Sequence, residues 1–140
     1  PVALSNNVKM LDLYVPPSHQ DGPSGATKVC NPGNWNRVGN VQATTLDEAF
    51  EGDRLDLIKI DVEGHEVNVL EGALSIIEHF LPIILCEVSH ETIGNILDYA
   101  SSLNYRTFTE SPSGTLSPIL KNQHRGWSDL FLFPNHKHEG

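Results

Sequence analysis

Three side chains able to do chemistry crowd one turn of the sequence. Asp61, Glu63 and His65 fall within the stretch LDLIKIDVEGHEVNVLEGAL, residues 55–74. A second apolar run, PIILCEV, ends near Glu87, and His90 follows three residues later. Carboxylates can orient a hydroxyl group, and a histidine can take its proton near neutral pH. This set therefore fits proton transfer and hydroxyl positioning, with Asp61, Glu63 and His65 as catalytic candidates and Glu87 and His90 as substrate-binding ones. Carboxylate oxygens would suit magnesium or calcium, but no metal is expected. His19, His79, His124, His136 and His138 show no ligand spacing. Acids at a helix start are also favoured by the helix dipole, at about 0.3–1 kcal/mol each. That reading covers Glu63 and Glu66 without any function. It fits Asp61 and Glu87 less well, because both interrupt apolar strands. His65 and His90 read equally as exposed first-turn residues.

The elements that position these residues follow from periodicity. Residues 55–62 form a near-continuous apolar strand, of the kind covered on both faces in a parallel sheet. Residues 66–80 read as one helix with Val67, Leu70, Leu74 and Ile77 along its apolar stripe. Pro82 stops it and opens a strand through Val88. Ser89 is placed to cap a helix over 90–103. YRTFTE and DLFLFP are two further strands, and the long link between them has room for a short one. Before residue 55, VKMLDLYV and VQATTL read as strands, and Thr45 caps a short helix with Glu48 in the capping-box position. The intervening PPSHQDGPSG and VCNPGNWNRVGN read as loops, and NHKHEG as a polar tail. The chain divides into a β-rich amino-terminal segment (1–46), a βαβαββ core (47–134) and a tail (135–140). Alternating strands and helices imply an α/β fold with right-handed crossovers, closed by an antiparallel end. Ligands in such sheets sit beyond the carboxyl ends of the strands. Neighbouring strands lie about 4.8 Å apart, so Asp61, Glu63 and Glu87 would converge if their strands are adjacent.

Composition narrows the partners. The 140 residues carry a formal charge of −9, and the nine Lys and Arg form no basic stripe. Nucleic acid and anionic membrane surfaces are therefore not expected partners. A 39% hydrophobic fraction fits a soluble globular domain. No apolar run reaches the ~20 residues of a membrane span, and the first residues show no secretory signal. A cytoplasmic location is the expectation. Cys30 and Cys86 are not in metal-ligand spacing, and Cys86 sits in an apolar strand as an inert thiol.

TTLDEAF, LDLIKIDVEGHEVNVLEGA and PIILCEV, in that order, resemble the carboxyl-terminal half of the FkbM methyltransferases, whose pattern runs TLD, K-I-D-V-E-G-x-E, V-L-x-G-A and P-x-x-x-x-E. DLFLFP is similar to that family's last strand. The resemblance covers about residues 41–134. It implies a class I, Rossmann-like methyltransferase sheet of order 3-2-1-4-5-7-6 with strand 7 antiparallel. Residues 55–62 and 82–88 would be strands 4 and 5. It further implies S-adenosylmethionine as cofactor and transfer of a methyl group to a hydroxyl of a sugar or other small metabolite. The glycine-rich loop after strand 1 and the acid after strand 2, which hold that cofactor, are not found. PVALSNN resembles the segment just after strand 3. Strands 1 to 3 are therefore expected to be missing, the chain to be a fragment, and the strand 4 edge to be open. Such an edge is a template for association. It would be covered by the amino-terminal strands, paired in a homodimer, or left marginally stable. The alternative is a non-catalytic half-domain that folds or binds a partner along that edge.

Overall fold

The computed structural model of the chain describes residues 1–18, 26–119 and 128–135. The expectations for His19, His124, His136 and His138, and for residues 136–140 of the tail, lie outside them. The chain divides into two units, Pro1–Glu51 with Val62–Leu74, and Gly52–Asp61 with Ser75–Gly140.

The first unit is built on a three-stranded sheet. β1 (Ala3–Leu4) runs parallel to β3 (Asn36–Thr44), and β2 (Lys9–Val15) runs antiparallel to it. A bulge between Leu13 and Tyr14 shifts the register. Val15 and Ala43 are fully buried. β3 starts earlier than the β-branched run at Val41 indicated. Its first residues, Asn36 and Arg37, are polar and exposed, so cross-strand pairing with β2, rather than apolar content, makes them a strand. Lys28 exchanges two backbone hydrogen bonds with Tyr14 (2.8 and 2.9 Å), which ties the loop before Cys30 to β2. α1 (Leu46–Ala49) begins as expected, with the Thr45 hydroxyl accepting from the Glu48 N–H at 3.1 Å. α2 (Glu66–Glu71) completes the unit.

The second unit is a five-stranded sheet of order β4-β5-β8-β6-β7. It contains β4 (Leu57–Ile60), β5 (Ile83–Val88), β6 (Tyr105–Glu110), β7 (Leu116–Pro118) and β8 (Ser128–Pro134). β4 and β5 are parallel. β8 is antiparallel to both β5 and β6. α3 (Leu74–Phe80) precedes β5 and α4 (Ile93–Ser102) precedes β6. Ile84, Cys86, Val88, Ile96, Leu130 and Ile77 are fully buried, each apolar side chain of this size contributing roughly 1.5–3 kcal/mol. Tyr105 donates to the Pro82 carbonyl at 2.9 Å, and burial pushes its phenol up to about 12.

Several elements depart from the sequence reading. The single helix expected over 66–80 is broken at Gly72–Ala73 into α2 and α3. A Cβ at Gly72 would collide with the carbonyl oxygen of Ser5, and the Gly72 carbonyl accepts from the Asp47 N–H at 2.9 Å. The close backbone approach at this glycine sets the break. Leu70 and Ile77 are buried as expected, but Leu74 is 40% exposed. β4 and β5 are not covered on both faces. Their burial alternates, with Ile58 and Ile60 inside and Leu57 56% exposed. α4 starts three residues late. The Ser89 hydroxyl accepts from the N–H of Glu91 and Thr92 and so closes a turn ahead of the helix. Both helices of this unit end in left-handed residues, Leu81 (φ 50°) and Asn104 (φ 60°). Pro82 follows the first, where the helix cannot continue. The amino-terminal strands form a sheet of their own, and β4 is the edge of its sheet.

Candidate functional site

Asp61 directly follows β4, and Glu87 lies within β5. The parallel register pairs Ile60 with Cys86, so the next residue of each strand is Asp61 and Glu87. A carboxylate oxygen of Asp61 lies within 4.8 Å of one from Glu87. Asp61 is exposed and Glu87 half-buried, and Lys59 approaches Asp61 at 3.7 Å. Two carboxylates this close favour a hydroxyl donor or a cation between them. They stand beyond the carboxyl end of a parallel strand pair, where α/β sheets bind ligands. His90 is placed on the exposed turn after β5, its side chain 71% accessible and 3.9 Å from Glu91.

Glu63 and His65 belong to the first unit. Glu63 adopts φ 52° and Gly64 φ 101°. A left-handed non-glycine residue costs about 1–3 kcal/mol and needs support from its surroundings. Lys28 supplies part of it, 3.3 Å from the Glu63 carboxylate. Glu66 supplies more, because its Oε1 accepts from the Gly64 N–H at 2.7 Å. A Cβ at Gly64 would meet nothing within 4 Å, so the turn is open on that side.

His65 is 5% exposed, not the exposed first-turn residue of the simpler sequence reading. Its Nε2 lies 3.0 Å from the Ser5 hydroxyl and its Nδ1 3.7 Å from the Cys30 sulfur. Burial, with the charge of Lys9 adding to it, holds the imidazole below its ordinary pKa. The ring is thus neutral at pH 7, with both nitrogens engaged.

Sequence reasoning missed Glu66, Ser5 and Cys30. Glu66 is 1% exposed, and its Oε2 has no hydrogen-bond partner. A helix-dipole acid should be solvated, so burial gives Glu66 another role, that of holding the strained turn. Its spacing of three from Glu63 was the available signal. Ser5 and Cys30 stand 60 and 35 residues from His65, and no local pattern could connect them.

Among the described residues, no helix is long and apolar enough to cross a membrane. No curated protein and no solved structure matches the chain significantly. The profile of the methyltransferase FkbM domain matches residues 1–107. That stretch takes in the amino-terminal segment as well as the acidic turn and β5, and stops before β8. With most of its length inside that match, and with the acidic strand ends in place, the chain belongs to the FkbM methyltransferase family.

Proposed function

We propose that this protein serves an S-adenosylmethionine-dependent O-methyltransferase reaction on a hydroxyl of a sugar or other small metabolite. The observation that carries this reading is the pair of carboxylates, Asp61 and Glu87, at adjacent parallel strand ends in a chain of this family. The sheet order β4-β5-β8-β6 with β8 antiparallel supports a Rossmann-like arrangement in which these are strands 4, 5, 7 and 6. Family membership supports S-adenosylmethionine as the methyl source, the methyl being carried on a sulfonium. The described residues contain no glycine loop that follows a strand and opens a helix, other than the turn at Gly64, and no acid placed for a ribose. No residue here is therefore assigned to hold the cofactor.

On the acceptor side, Glu87 accepts a hydrogen bond from the acceptor and orients it. Asp61 removes the hydroxyl proton. Asp61 is preferred to His65 as base because the nitrogens of His65 face Ser5 and Cys30. Fixing the hydroxyl in line with the methyl supplies much of the rate, and the base adds to it. The test is calorimetric titration of the 140-residue chain with S-adenosylhomocysteine. Micromolar binding supports a catalytic chain. No binding at millimolar ligand rejects catalysis by this chain alone.

A second reading is favoured by one observation. β4 is the terminal strand of its sheet, with Leu57 and its register partner Ile83 56% and 37% exposed. In that reading the chain binds a partner through this edge.

A further inference from the structure

Cys30 is the exposed one of the two free cysteines, and Cys86 is fully buried. The bridge between Tyr14 and Lys28 holds the Cys30 loop to β2, so its position against the imidazole of His65 belongs to the fold. The Ser5 hydroxyl is fully buried and lies 3.3 Å from the Asn6 side-chain oxygen, to which it donates. With that donation its lone pairs face His65 Nε2 at 3.0 Å, the arrangement in which Nε2 carries the ring proton. The lone pair of Nδ1 is left pointing at the Cys30 thiol, 3.7 Å away. Lys9 donates to the same Asn6 oxygen at 2.9 Å, which strengthens the chain from Lys9 through Asn6 and Ser5 to the ring. An exposed thiol with a neutral imidazole nitrogen beside it has a group within reach to take its proton as the sulfur attacks.

We propose that Cys30 is a modification site for small disulfides, with His65 as the acceptor of its proton. The Cys30 sulfur attacks one sulfur of the disulfide. A new S–S bond forms as the old one breaks, and the old bond's electron pair leaves on the departing thiolate. The Cys30 proton passes to His65 Nδ1 and then to that thiolate. The incoming disulfide is the oxidant, and Cys30 ends as a mixed disulfide against the His65 ring. This assignment does not depend on the methyl-transfer reading.

The test is the reaction of the native 140-residue chain with dithiodipyridine, an uncharged disulfide whose released thione absorbs in the near ultraviolet. One equivalent is expected to be released quickly. The rate should be at least about tenfold that of the urea-unfolded chain at the same pH. Cys30→Ser should abolish this phase, and Cys86 should react only on unfolding. His65→Asn offers an amide that can accept the thiol's hydrogen bond but not its proton. In a folded His65→Asn chain the rate should fall to near that of the unfolded chain. Ser5→Ala, which frees the tautomer, should lower it in the same direction. A native rate at or below the unfolded rate overturns the proposal. So does an unchanged rate in folded His65→Asn or, should that variant not fold, in Ser5→Ala.

Discussion

His65 links structure to pH through a single ring. Its folded pKa is lowered by burial and by Lys9, so the unfolded chain binds the proton more readily. The stability this contributes is complete above the ordinary imidazole value of about 6.5. It is lost as pH falls below that value and through the folded pKa. Urea midpoints at pH 7.5 and 5.5 should therefore drop on acidification in the native chain, and drop less in His65→Asn. Equal drops would remove His65 as the cause. Asp61 is exposed and makes only a loose contact with Lys59. Asp61→Asn should leave the unfolding free energy from urea titration within about 0.5 kcal/mol of the original. In any form of the protein that transfers methyl groups, the same change should cut turnover by about a hundredfold. Unchanged turnover would take Asp61 out of the chemistry.

Elements were legible where their evidence is local. β2, β5, β6 and β8 each carry enough β-branched and aromatic residues to declare themselves, and the Thr45 cap is complete within four residues. The carboxylates of β4 and β5 were found because two apolar strands with an acid at each carboxyl end need only be neighbours to bring those acids together. The break at Gly72 was hidden because nothing in VLEGALSII forbids a continuous helix. It follows from the Ser5 carbonyl, 67 positions earlier in the chain. The early start of β3 was hidden for the same kind of reason, since its pairing with β2 supplies what its polar residues lack. Gly72→Ala tests the first point directly. The added methyl meets backbone, not a movable side chain, so the cost should reach the upper end of the roughly 1–3 kcal/mol seen for overpacking. A urea midpoint equal to the parent's would show that the contact yields easily.

At the scale of the whole molecule, association is predicted to run through the edge of β4. A terminal parallel strand with Leu57 accessible offers a place for a further strand. In a two-fold dimer that partner would be β4 of a second copy, which the symmetry makes antiparallel. Sedimentation at increasing concentration should show a dimer, and the amides of residues 57–60 should become protected from hydrogen exchange as it forms. A monomer at all concentrations, with those amides exchanging fast, would remove the edge as an interface and with it the second reading of function.

The division of the chain has its own consequence. The backbone changes unit three times, after Glu51, after Asp61 and after Leu74. A single genetic crossover at any point in the coding sequence would therefore deliver one unit whole only if it also delivered a piece of the other. Neither unit can be shuffled between genes as a cassette, and a family assembled this way would be expected to inherit both units as one indivisible length.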